Sequence, residues 1–192
     1  MFRPVLIAAP TETPISVAEV RANSIVEDPA QEAFLTALIA AATGHLDGWT
    51  GILGRCLCTQ TWRQDYTCFM RNMRLPLVPV ASVTSVKYYD AAGDEQTYAA
   101  SNYVLLEDEL GAYVRFKDEA VFPAVRSLEP AVNITYVAGT AAAAVPASIK
   151  QAMLLLVGHW NENRESVNIG NIVNAIPMAF DALIAPHRRI RF

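Results

Sequence analysis

The apolar residues of this chain change their spacing twice, and that change limits the available folds more than any other feature. In "PAQEAFLTALIAAATGHLDGWTG", residues 29 to 51, Phe34, Leu35, Leu38, Ile39, Ala42, Leu46 and Trp49 recur at steps of three and four. Such steps draw one apolar stripe along a helix. Asp28-Pro29 reads as an N-cap and first helical residue, and Gly51 and Gly54 are expected to stop the helix. Upstream, Ser16 and Glu19 have capping-box spacing, which predicts a short helix from about 17 to 24.

From about 55 to 140 the pattern becomes that of strands. "CLCTQTWRQDYTCF", "VTSVKYYDAAGDEQTYA", "NYVLLED", "GAYVRFKD" and "AVNITYVAG" are rich in aromatic and β-branched residues, with turn chemistry at Ala91-Ala92-Gly93-Asp94. Val132, Ile134 and Tyr136 share one strand face. Pro76, Pro79, Pro123 and Pro130 mark joints. Five or six antiparallel strands are expected here. Helical spacing then returns: Pro146 suits a first turn, and Ile149, Ala152, Met153, Leu156 and Trp160 form a stripe in a helix running to about Glu165. A polar loop, "SVNIGNIVNAI", leads to Pro177 and a last short helix, "MAFDALIAPHRR". The fold class is therefore α+β: a helical bundle formed by N- and C-terminal helices (about 16–54 and 146–187) with an inserted antiparallel β lobe (about 55–140), read as a single domain over 1–192.

Composition narrows the function. Hydrophobic residues make up 53% and charged residues 18% of the 192, the profile of a folded chain. No apolar run approaches the length of roughly 20 residues that spans a bilayer, and Pro4 and Pro10 interrupt the N-terminal apolar patch. A soluble chain with no membrane partner and no export signal is expected. Fifteen basic against nineteen acidic residues give a net charge of −4, which disfavours duplex DNA binding as the main activity. The exception is local: His187-Arg188-Arg189-Ile190-Arg191-Phe192.

Motifs for catalysis are missing: there is no G-x-S-x-G, H-E-x-x-H, phosphate-binding lysine loop or dinucleotide fingerprint. His159 and Glu162 lie on one face of the 146–165 helix and could serve as acid and base. The plainer reading is a histidine at the polar edge of the stripe, with Glu162, Arg164 and Glu165 as a solvated or interfacial rim. Glu107-Asp108-Glu109 and Asp94-Glu95 fall in expected turns, where hydration is the default. Trp49 and Trp160 each close a stripe and are read as packing residues. Cys56 and Cys58, on one face of an expected strand, and Cys68 have no matching histidine spacing for zinc; they are read as reduced structural thiols, with a metal or redox module as the competing reading. No metal and no cofactor is expected. At the C-terminus, arginines and a phenylalanine after Pro186 are either helix-end charges or an arm that docks into a partner.

Several of these stretches in order resemble the head–tail connector, or adaptor, proteins of long-tailed bacteriophages, prophages and gene transfer agents. They are "LIAAATGHLDGWTGILGRCL", "RLPLVPVASVTSVKYYDAAGDEQTY", "NITYVAGTAAAAVPASIKQAMLLLVGHWNENRES" and "IPMAFDALIAPHRR". The pattern LPxxPVxSVxSVxYYDxxG is met from Leu75 to Gly93, and the helix pattern from Pro146 to Glu165; Asn161 departs from it, where family members often carry tyrosine. The resemblance implies a non-enzymatic protein of the particle neck, assembled in the bacterial cytoplasm. It implies a homo-oligomeric ring, usually of twelve copies, under the portal protein and above a downstream stopper or tail-completion protein, with DNA passing through the channel. It assigns portal docking to Arg188, Arg189, Ile190, Arg191 and Phe192, and an intersubunit or structural role to Trp49, His159, Trp160, Glu162, Arg164 and Glu165. An acidic chain suits such a channel, because its wall repels phosphate. A stopper or tail-completion protein, or a small enzyme using His159 and Glu162, are the competing functions.

Overall fold

The computed structural model describes residues 2–24, 29–163 and 178–189. The chain divides into two compact units, one of residues 1–11 and 59–140, the other of 12–58 and 141–192. Asp28, Arg164, Glu165, Ile190, Arg191 and Phe192, and the loop before Pro177, lie outside the described residues.

The first unit is β structure. A five-stranded antiparallel sheet has the order β1 (Val5–Ala8), β2 (Gln60–Tyr66), β8 (Val132–Ala138), β4 (Val80–Tyr89), β5 (Glu95–Tyr98). A three-stranded sheet orders β3 (Asn72–Arg74), β7 (Gly111–Phe116), β6 (Tyr103–Asp108). Period two places Val132, Ile134 and Tyr136 opposite Tyr66, Gln64 and Trp62, and all six are buried, as their shared face requires. Burying Ile134 alone contributes about 1.5–3 kcal/mol. The β4–β5 turn forms where expected: Asp90 Oδ1 accepts from the Ala92 and Asp94 amides at 2.9 and 3.0 Å, and Gly93 takes a φ of 94° that a side chain would resist. Beneath the smaller sheet Phe69 stacks on Phe122 at 5.2 Å and meets Phe116 edge-on at 5.6 Å. Arg126, 3.8 Å over the Tyr89 ring and bonded to the Leu128 and Pro130 carbonyls, orders the long segment between β7 and β8.

The second unit is helical. α1 (Val17–Ser24) begins with the expected capping box: Ser16 N and Oγ donate to Glu19 Oε2 at 2.6 and 2.7 Å, and Glu19 N donates to Ser16 Oγ at 3.2 Å. A short 3-10 turn, Pro29–Gln31, leads into α2 (Glu32–Leu46), which buries Leu35, Ile39, Ala42 and Leu46. α3 (Ala147–Glu162) buries Ile149, Ala152, Met153, Leu156 and Val157, and α4 (Met178–Ile184) adds Phe180 and Ile184 to the same core. A final 3-10 turn spans Ala185–His187. Pro146 stands one position ahead of α3 rather than within it, and its carbonyl accepts from Ile149 and Lys150.

Four expectations need correction. α2 stops at Leu46, so Trp49 lies in the following turn and does not extend the stripe. The reason is local: Asp47 is extended, Gly48 turns at a φ of 72°, and the chain folds back so that Ile52 N and Leu53 N donate to the last helical carbonyls, His45 and Leu46. Phe34, counted in the α2 stripe, is exposed. Cys56 and Cys58 precede β2 instead of sharing a strand face; both are buried, while Cys68 is exposed, and all three are free thiols. The β section carries β2 to β8 rather than five or six strands, and β1 lies outside it altogether.

Candidate functional site

The polar end of α3 is built from the helix's own termination. Asn163 N donates to the His159 carbonyl at 3.0 Å and its side-chain Nδ2 to the same oxygen at 2.9 Å, with the His159 ring 3.4 Å away. An asparagine just past the last turn thus satisfies a carbonyl the helix leaves open. Glu162 is exposed, and no hydrogen bond joins it to His159. The two residues share a face without forming an acid–base pair. Trp160 is half-buried and packs on the helical core, which is the packing role expected of it, and Trp49 is half-buried in its turn.

Residues 187–189 are tied to the rest of the second unit. Arg188 Nη2 donates to Asp181 Oδ1 at 2.8 Å, closing an exposed ion pair with α4. Arg189 N donates to the Leu53 carbonyl at 3.0 Å, and His187 Nε2 lies 2.7 Å from Ser148 Oγ at the start of α3. Leu53 belongs to the loop that closes α2, which is held by Leu57 N donating to Asp47 Oδ1 at 2.6 Å and by Gly48 N donating to the Arg55 carbonyl at 2.8 Å. Arg55 is thereby fixed beside the root of the C-terminal segment. Its guanidinium is half-buried, and Nε is closed off from water with no hydrogen-bond partner. Burial, and then the charge of Arg189, pull its pKa below the usual arginine range, against a small opposing effect of Cys56. Burial, and then Arg55, likewise hold His187 below the ordinary histidine value. Arg55 was not singled out by its sequence context; an arginine between Gly54 and a buried Cys-Leu-Cys is the only signal there is.

The cysteines do not converge on a metal site. No group of three or more potential ligands gathers among the described residues. Burial, with the nearby charges of Asp47 and Glu12 adding to it, pushes the Cys58 thiol up to about 11, the state of an unreactive core sulfur. No helix among the described residues is long and apolar enough to cross a membrane. The other features invisible in sequence are apolar groups left exposed by the β unit: Val5, Leu6 and Ile7 on edge strand β1, and Leu110, Val121 and Leu128 in turns and loops.

A family model described as "Head completion protein" matches residues 13–190, the capping box through the root of the C-terminal segment. The chain belongs to the head completion protein family. Solved structures resemble this family member from end to end. One is a chain of the virion of a native gene transfer agent (GTA) particle, 27% identical with a TM-score of 0.71, covering 100% of this chain and 97% of that one. A chain in the neck of a native GTA particle, computed with C12 symmetry, gives the same figures. A chain in the neck of an empty GTA particle, computed with C6 symmetry, is 26% identical with a TM-score of 0.72 and the same coverage. No curated protein matches. The head–tail connector resemblance read from the sequence is thus the resemblance the family model and the solved necks display.

Proposed function

We propose that this chain is a structural head–tail connector, present as a homo-oligomeric ring of twelve copies in the neck of a phage-like particle. It sits under the portal protein, joins the DNA-filled capsid to a downstream stopper or tail-completion protein, and lets DNA pass without sequence-specific binding. It works by fitting its neighbours and catalyses nothing. The observation that carries this reading is the full-length likeness to a chain seated in a twelvefold-symmetric neck. The whole chain acts as one connector. We read its helices from both ends as one bundle, supported by the core that Ile39, Leu46, Met153, Leu156 and Ile184 share, with the β strands lying between them in sequence.

Within that reading, Arg188, Arg189, Ile190, Arg191 and Phe192 dock into the portal, with Arg188 and Arg189 starting from an anchored position against Asp181 and Leu53. Trp49, His159, Trp160, Glu162, Arg164 and Glu165 form the rim that meets neighbouring copies. Electron micrographs of particles made with and without the chain test the function directly. Deletion is expected to leave heads without tails, whether packed or leaking DNA. Tailed, infectious or transducing particles made in its absence would refute it. Alanine at both His159 and Glu162 is expected to affect assembly or nothing; loss of a catalytic turnover in a folded double variant would overturn the non-enzymatic reading.

A further inference from the structure

Arg21 and Arg55 of the helical unit both bury guanidinium nitrogen without a hydrogen bond, and of the two only Arg55 also lacks an ion pair among the described residues. Arg55 Nε makes no hydrogen bond and meets no water, and no carboxylate pairs with Arg55 among the described residues. What stands beside it is the backbone of Leu53, where Arg189 is tied, and His187, held to Ser148. Desolvating a cation is costly unless an anion or acceptors compensate, and no described residue supplies either to Arg55 Nε. A partner that supplied the anion would recover that cost on binding.

Resting on the connector reading above, we propose that Arg55 is a docking residue that receives an aspartate or glutamate carboxylate from the adjoining protein component on which the C-terminal segment seats. A carboxylate matches the planar fork of a guanidinium and is small enough to enter a half-buried site. Duplex phosphate fits less well. Binding to DNA is carried by many cations spread along a face, whereas here one arginine is recessed and the chain as a whole is acidic. The same contact would bear on Arg189, because Arg189 and Arg55 are held through one loop.

The test uses full-length chain and DNA-filled heads purified from cells that lack it. Binding to heads is measured by co-sedimentation for the unmodified chain, Arg55→Leu and Arg55→Lys, alongside each protein's melting temperature. Arg55→Leu is expected to melt at or above the unmodified chain, since it removes an uncompensated cation while keeping an aliphatic stem, and to bind heads about thirtyfold more weakly. Arg55→Lys is expected to fall between, having the charge without the fork. Equal head binding by Arg55→Leu would overturn the inference and leave the connector reading intact. So would a lowered melting temperature in both variants, which would make Arg55 a structural residue. Arg55-dependent binding to a short DNA duplex, or Arg55-dependent self-association with head binding unchanged, would assign the site to phosphate or to a second copy and likewise overturn it. Failure of the unmodified chain to bind heads would instead sink the connector reading, and this inference with it.

Discussion

Two glycines seven positions apart should respond to alanine with opposite signs. A Cβ at Gly51 would lie 2.3 Å from the Asp47 carbonyl oxygen and 2.4 Å from both the carbon and the oxygen of the Leu46 carbonyl. Favourable contacts begin near 3.5 Å, so each overlap exceeds about 1 Å, and all three atoms are backbone at the end of α2. Relief requires moving the loop away from the helix, which breaks the bonds from Ile52 N and Leu53 N to the His45 and Leu46 carbonyls. Overpacking of about 1–3 kcal/mol plus two lost hydrogen bonds of about 1 kcal/mol each gives roughly 3–5 kcal/mol. The entropy removed from the unfolded chain returns only about 0.4–1 kcal/mol, so the clash wins. At Gly44, inside α2 and exposed, nothing lies within 4 Å of the new methyl, and alanine should stabilise by about 0.5–1 kcal/mol. Urea unfolding, with hydrogen exchange read at α2 and α3 amides to report the helical unit by itself, separates the two. With a slope of about 2 kcal/mol/M, Gly51→Ala should lower the midpoint by about 1–2 M, and Gly44→Ala should raise it by about 0.3 M. A Gly51→Ala protein within about 0.5 kcal/mol of the parent, or both variants moving the same way, would refute the close backing of this loop onto the end of α2.

Other outcomes follow from the same contacts. Ser16→Ala should cost about 1 kcal/mol, and Glu19→Gln on that background should add little, because the two side chains serve each other; a double-mutant cycle with no coupling would contradict the reciprocal cap. Iodoacetamide at pH 8 should label exposed Cys68 quickly and leave buried Cys56 and Cys58 intact until urea unfolds the chain, and the Cys58 thiol, at about 11, is besides only roughly one-thousandth ionised there; mass spectrometry of the adducts decides it. His187 is held below its unfolded value near 6.5, so the unfolded chain binds more protons there: its contribution is present above that value and lost as pH falls through it. Melting temperatures should drop between pH 7 and 5.5, and His187→Gln should flatten that limb.

How much of this was legible in the sequence depended on whether a residue's placement was set by near neighbours. The α2 stripe of Leu35, Ile39, Ala42 and Leu46 and the Ser16–Glu19 box are relations of three or four residues, and both were readable. The end of α2 was not, because the turn at Asp47 and Gly48 follows no helical period and is braced from ten residues away by Leu57 N donating to Asp47. Strand β1 was missed for a related reason. Its four residues are all exposed, so they show no alternation, and the strand is anchored by a buried glutamine far along the chain, Gln64 donating to the Phe2 carbonyl at 2.7 Å. Strand β3, with three residues, is too short to display a period at all. In the α3 terminus the residue types were visible, but their use as a helix cap emerged only from the Asn163 geometry.

The same distinction bears on where function lies. Groups whose titration is displaced are often functional, but structural partners displace them as well. Glu19 is held low by its bonds to Ser16, Asp90 by Gln96 and the turn amides, and Asp108 by Arg74, whose own pKa rises in the pair. Tyr66 is raised by burial, with its hydroxyl satisfied by the Arg74 carbonyl. In each of these the displacement is the by-product of a contact the fold already contains. Arg55 differs, because burial and the charge of Arg189 lower it against a smaller effect of Cys56, and its Nε has no hydrogen-bond partner among the described residues. A fold can carry an uncompensated cation in isolation only if the rest of the core outweighs it, and the free energy then remains available to whatever anion arrives. For the proposed connector, that points to the loop between Gly48 and Leu57, rather than the polar end of α3, as the place an acidic partner would complete.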